Sequence, residues 1–265
     1  MGAYNVKQIK FLNQTQVKVY DKPIEYGQKK KVRANEHKKE NKERTQQAID
    51  LSIRQSMNRT KNSIWQIALS NKWEYFVTFT FNPKIVKSDD YEECVFYMSQ
   101  WLKNAKYRCS PDMKYLIVPE YHKDKKKFHF HALMSNIQGI TLVDSGYRTN
   151  NKIIYNIANY HLGYTTAIPV DNDKDGQNKT CGYMLKYITK DLVNLSQGKK
   201  RYWYSVKNCD KPVVDDYIVD SEHLHDFIEC LENDKNYRKK IDMPFSDNEL
   251  KICLLYTSDA ADDLT

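Results

Sequence analysis

"KYLIVPEYHKDKKKFHFHALMS", residues 114–135, decides how this chain is read. Both ends are strand-like, and the middle, 122–127, is a charged turn. Side chains alternate across a strand, so His129 and His131 share one face while Phe128, Phe130, Ala132 and Met134 take the other. The phenylalanine side wants a core beneath it; the imidazole side wants something else. The short turn predicts an antiparallel hairpin, which brings Glu120, at the end of the first strand, close to His129. Two neutral imidazoles and a carboxylate form an open ligand set for a divalent metal, with positions left for water and substrate. A His-x-His pair alone also fits ordinary hydrogen-bonded histidines, and both readings stand at this point. His122, in the turn, is expected to be solvated.

Working outward, "WEYFVTFTFNP" (73–83) alternates as a strand, with Val77, Phe79 and Phe81 on one face and Thr78 and Thr80 on the other. "YEECVFYMSQWLKNAKY" (91–107) reads as a helix through Val95, Met98, Trp101 and Leu102. "GYTTAIPV" (163–170) and "RYWYSV" (201–206) read as strands, and "SEHLHDFIECLEN" (221–233) as a helix with Ser221 as its N-cap. Residues 34–69 contain no Pro or Gly, and Ile49, Ile53, Met57, Ile64, Ile67 and Ala68 recur at helical spacing. The expected fold is therefore α+β: a central antiparallel sheet, helices mainly on one face, and a basic helical N-terminal extension. The expected divisions are 1–72 for that largely helical extension, 73–220 for the main domain and 221–252 for a C-terminal helical segment.

"CGYMLKYITKDLVNL" (181–195) reads as one helix. Cys181, Met184, Ile188, Leu192 and Leu195 form its apolar stripe. Tyr183, Lys186, Tyr187 and Lys190 then fall together on the side away from that stripe. A tyrosine can act as a nucleophile if nearby positive charge lowers the cost of its phenolate, and lysines one turn away also suit a phosphate. Surface Tyr and Lys on an amphipathic helix are the alternative.

Lys and Arg outnumber Asp and Glu by 42 to 34 over 265 residues, a net charge of +8. That excess favours polyanionic partners. Lysines crowd 28–45, either as an arm that contacts phosphates or as a solvated helix face. Six scattered cysteines without CxxC argue against a zinc ribbon or a disulfide scaffold. The first 25 residues lack a signal-peptide core, and no long apolar run predicts a membrane-spanning helix. "CLLYTSDAADD" (253–263) looks like the conceptual translation of a transposase-type sequencing adapter, so 253–265 is expected to be foreign and the natural frame to be cut near Ile252.

"FVTFTFNP", "PEYHKDKKKFHFHALM" and "YMLKYITKD", in that order, resemble the three motifs of the HUH endonuclease superfamily. The similarity is closest to rolling-circle replication initiators of small single-stranded DNA phages and plasmids, and it spans about 73–206. The resemblance implies a ferredoxin- or RRM-like sheet. It implies His129, His131 and Glu120 as ligands of Mg²⁺ or Mn²⁺, Tyr187 as nucleophile with Tyr183 as a partner nucleophile, and Lys186 and Lys190 as their companions. The implied substrate is single-stranded or hairpin origin DNA, nicked and rejoined through a 5′-phosphotyrosine link and a free 3′-OH. Host DNA polymerase and helicase in a bacterial cytoplasm are the implied partners, with no membrane. Lys125, Lys126, Lys127, Thr78 and Thr80 are the expected DNA contacts. No GxxxxGK[ST] P-loop occurs. An HUH transposase or plasmid relaxase would use the same residues on different DNA; a non-catalytic RRM-like nucleic-acid-binding module is the alternative of another class.

Overall fold

The computed structural model describes residues 2–26, 46–121, 127–196, 198–233, 237–242 and 249–256. The basic run 28–45, His122, Lys125, Lys126 and 257–265 of the tail lie outside them. In chain order the elements are β1 (Ala3–Lys10), β2 (Gln14–Glu25), α1 (Gln46–Leu69), β3 (Tyr75–Phe81), α2 (Tyr91–Arg108), β4 (Lys114–Tyr121), β5 (Phe128–Ser135), β6 (Leu142–Thr149), β7 (Lys152–Ile157) and β8 (Gly163–Pro169). There follow α3 (Lys174–Met184), a 3-10 turn (Leu185–Tyr187), α4 (Lys190–Leu195), β9 (Trp203–Tyr204), β10 (Val213–Tyr217), α5 (Ser221–Asn233), β11 (Tyr237–Asp242) and β12 (Glu249–Tyr256). They fall into two units, residues 44–211 and residues 1–43 with 212–265.

The larger unit is α+β. Its seven strands pair antiparallel in the order β6-β7-β8-β3-β5-β4-β9. The inner four, β8-β3-β5-β4, follow the fourth-first-third-second order of a ferredoxin-like sheet. Alternation in β3 and β5 makes the sheet two-faced. Val77, Phe79, Phe81, Phe128, Phe130, Ala132 and Met134 are all buried on one side, where Phe79 packs against Trp101 of α2 with ring centroids 5.1 Å apart. Asp90 caps α2 by accepting from the backbone N–H groups of Glu92 and Glu93, and Lys106 and Arg108 in its last turn suit the helix dipole. The remaining helices lie on the histidine side. Leu133 there is fully buried, so β5 is covered on both faces.

Trp73 joins these helices to the sheet. Its side chain is fully buried, and its indole N–H donates to the Ala68 carbonyl at the end of α1 at 2.8 Å. The Gln177 side chain of α3 accepts from the Trp73 backbone N–H at 3.0 Å and donates to its carbonyl at 2.8 Å. Only the C-terminal half of α1 is buried, at Ile64, Ile67, Ala68 and Leu69; Ile49, read as part of the stripe, is exposed.

The β6–β7 hairpin has no counterpart in the sequence reading. Asn150 and Asn151 both have positive φ, 46° and 63°, between the paired residues Thr149 and Lys152. That is the two-residue primed turn that asparagine supports. The expected strand at 201–206 contracts to β9.

In the smaller unit, residues 3–25, inside the stretch expected to be largely helical, form an antiparallel hairpin. Its sheet runs β10-β1-β2-β12-β11. Val6, Val17, Val19 and Leu231 form a core against which Val219, Leu224, Phe227 and Ile228 pack. The Asn5 side chain clamps Val219 by accepting from its N–H and donating to its carbonyl, each at 2.7 Å. Among the described residues of 221–252 only α5 is helical; β11 and β12 follow. Cys253–Tyr256, in the stretch read as adapter-derived, continue β12 beside β2. Among the described residues no helix is long and apolar enough to cross a membrane.

Candidate active site

The histidine face of β5 is organised by register. Glu120 on β4 pairs with His129, and Val118 with His131. On the other side Thr80 of β3 pairs with His129 and Thr78 with His131. Each threonine hydroxyl meets the Nδ1 of its histidine: Thr78 with His131 at 3.1 Å and Thr80 with His129 at 3.2 Å. Thr78 and Thr80, expected to contact DNA, thus have their hydroxyls engaged with the imidazoles. The cause is alternation, which puts Thr and His at the same level of adjacent strands.

Glu120 reaches diagonally. It stands directly opposite His129, as the hairpin suggested, and its Oε2 also lies 2.7 Å from Nε2 of His131. Diagonal cross-strand neighbours are within reach of a long side chain. Glu120, His129 and His131 therefore share one face, and Glu120 touches His131 directly. Among the described residues no group of three or more His, Cys, Asp or Glu side chains is placed to hold a metal ion. The donor chemistry nonetheless fits one: both imidazoles are oriented through Nδ1 by a second group, as metal-ligating histidines usually are.

The tyrosine segment departs from the single expected helix. Ile188 leaves helical geometry at φ −84°, ψ 88°. Thr189 is extended and caps a new helix, its hydroxyl accepting from the Leu192 N–H. The α-helix ends earlier, at Met184, and Tyr187 lies in the 3-10 turn that follows, facing inward. It is 7 % exposed, and its ring lies on the His131 imidazole, centroids 3.7 Å apart and planes 12° from parallel. The reading of Tyr187 as displayed away from the core is thus corrected: a single α-helical wheel drawn across 181–195 does not apply, since the α-helix ends at Met184 and tightens to a 3-10 turn through Tyr187.

Tyr183 remains on α3 and is 43 % exposed. Its ring meets Tyr187 edge-on at 5.5 Å, and the Lys186 ammonium sits over it, 4.2 Å from the centroid. Phe76, which the sequence reading passed over, completes an aromatic wall with Tyr183 at 5.4 Å and His131 at 5.7 Å. Its signal was present, since Phe76 alternates onto the same face as Thr78 and Thr80. Burial, above all, raises the pKa of the Tyr187 phenol above its usual value, and hydrogen bonding with Tyr183 and the charge of Glu120 add to this. Lys190 is exposed at the start of α4, and Lys127 is exposed ahead of β5.

Trp203 faces Phe130 on the other side of the sheet. There it helps line a cavity of about 600 Å³ between α2 and the β4–β9 edge. None of the candidate site residues lines that cavity.

Residues 74–192 match the family described as replication-associated protein ORF2/G2P. The matched stretch contains every residue of the histidine, glutamate and tyrosine cluster. It supports a part in replication initiation and contact with DNA. No curated protein and no solved structure matches the chain.

Proposed function

We propose that this chain is a rolling-circle initiator of the HUH type, which nicks and rejoins single-stranded origin DNA through Tyr187. One observation carries the reading: a phenol from the late helical segment stacks on an imidazole that is itself bonded to a cross-strand carboxylate. The replication-family match agrees with it. Glu120, His129 and His131 would hold Mg²⁺ or Mn²⁺, which when bound supplies charge neutralisation at the scissile phosphate. The chain's own residues do the rest. Thr78 and Thr80 hold the imidazoles in place. The Tyr187 oxygen bonds to phosphorus as the bond to the 3′ oxygen breaks; the phenolic proton leaves and the departing oxygen takes one up. The phosphotyrosyl ester keeps the energy of the original bond, so a 3′-OH can later reverse the step. Lys186 and Lys190 lie beside this segment to meet phosphates. The freed 3′-OH would be extended by a host DNA polymerase, with a host helicase opening the duplex, in a bacterial cytoplasm.

The test is incubation of the chain with a pool of single-stranded oligonucleotides and Mn²⁺. A 3′ label should become SDS-resistant on the protein, a 5′ label should not, and EDTA should abolish the adduct. No adduct with either label sinks the proposal and leaves a DNA-binding module. A second expectation concerns Thr78→Val and Thr80→Val. Each keeps a β-branched side chain but removes the bond to Nδ1. Affinity for Mn²⁺ should fall about 10- to 100-fold, read by calorimetric titration without DNA and by the Mn²⁺ midpoint for adduct formation. An unchanged midpoint in both variants would refute the orienting role.

A further inference from the structure

One row of side chains crosses four strands on the histidine face. Glu120 pairs with His129, His129 with Thr80, and Thr80 with Tyr164 of β8. Four residues along β3, two levels on the same face, Phe76 pairs with Leu133 and Ile168, and that level is covered by Tyr183 and Tyr187. The Tyr164 end is open. Tyr164 is 48 % exposed although it stands next to a central strand. Among the described residues its ring makes no aromatic contact and its hydroxyl no hydrogen bond.

Its position is built in by the residue before it. A Cβ on Gly163 would lie 2.1 Å from the Thr80 carbonyl oxygen and 2.7 Å from the Asn82 nitrogen. The glycine lets β8 close onto β3 at this level, where Asn82 donates to the Leu162 carbonyl at 2.8 Å. Tyr164 is thereby registered opposite Thr80. Strands lie roughly 4.8 Å apart, so the Tyr164 backbone is about 10 Å along the row from that of His129. That is the reach of one nucleotide from a phosphate at the histidines to a neighbouring base.

We propose that Tyr164 is a stacking platform for a nucleobase of single-stranded DNA, flanking the phosphate engaged at Glu120, His129 and His131. The placement of that phosphate rests on the function proposed above; the platform itself rests on exposure and register. An exposed aromatic on a flat sheet face suits a base, because every base offers a π-face, and a basic chain suits the strand that carries it.

The test separates binding from chemistry. Affinity of the full chain for a fluorescein-labelled oligothymidylate is measured by anisotropy in EDTA, against an abasic oligomer of equal length. Tyr164→Ala should weaken oligothymidylate binding about 5- to 150-fold and narrow its advantage over the abasic oligomer. Tyr164→Phe should bind like the parent, and so should Tyr107→Ala, which removes an exposed tyrosine from α2. Parent-like binding by Tyr164→Ala overturns the proposal. So does equal weakening in Tyr164→Phe, which would assign the effect to the hydroxyl. If Tyr164→Ala loses binding while the parent forms no adduct with any DNA, the platform stands and the nicking reading falls. If the parent forms adducts and Tyr164→Ala binds normally, the reverse holds.

Discussion

Tyr187→Phe should lose the covalent DNA adduct while keeping its fold. The substitution removes one oxygen and leaves the ring that lies 3.7 Å from the His131 imidazole. Stability should therefore change little, and adduct formation should fall about 10³-fold or more, as expected when a nucleophile is deleted. Tyr187→Ala is the contrasting variant. It empties a buried aromatic site and should cost about 3–5 kcal/mol besides. Tyr183→Phe supplies the comparison that matters most. Tyr183 is the more open phenol and carries the Lys186 ammonium over its ring, whereas burial raises the Tyr187 pKa. Gel assay of 3′-labelled adducts across the three variants decides between them. An adduct that survives in Tyr187→Phe and vanishes in Tyr183→Phe would move the chemistry to α3.

Trp73→Ala should give the largest loss of stability. The side chain is wholly buried, its N–H is bonded, and its backbone is clamped by Gln177. Truncating a buried Trp costs about 3–5 kcal/mol. For a unit of 150–250 residues each kcal/mol shifts Tm by roughly 2–4 °C, so thermal unfolding followed by circular dichroism should drop by about 6–20 °C. A fall below about 2 °C would show that the α1–β3–α3 junction bears little of the load. Trp73→Phe should lie between, since it loses the bond to the Ala68 carbonyl but keeps most of the apolar bulk; the Cys181 thiol still reaches that carbonyl at 3.4 Å. Because α3 leads into the tyrosine segment, the Ala variant should also weaken adduct formation.

Much of this arrangement is legible in the sequence. β3 and β8 alternate because one face of each is the more deeply buried, and period-two alternation is the trace that such burial leaves, whereas β4 and β5, buried on both faces, read as strands through their apolar runs. Glu120, His129 and His131 followed from the hairpin. The β6–β7 hairpin did not, since β6 is largely exposed, β7 is half-buried along its length and neither carries an apolar alternation; only the Asn150–Asn151 pair announced it. The first strands were also readable in principle, from Val17 and Val19 around Lys18, but the lysine-rich run beyond them dominated. At the tyrosines a local signal was present and outweighed. Thr189 followed by Lys190-Asp191 is an N-cap with an acid in the first turn, which argues for a new helix start after Tyr187. The inward turn of Tyr187 needed the coordinates, because it depends on where β5 lies and not on the segment's own pattern.

Under the function proposed above, the bond between Glu120 and His131 would set a condition on cation entry. With the carboxylate ionised and the imidazole neutral, the shared proton sits on Nε2, and Nδ1 accepts from the Thr78 hydroxyl. Offering Nε2 to a cation requires the other tautomer, with the proton on Nδ1 and Thr78 now accepting. A hydroxyl changes role by spinning about its C–O bond, so Thr78 can serve either tautomer of His131 without moving its own heavy atoms.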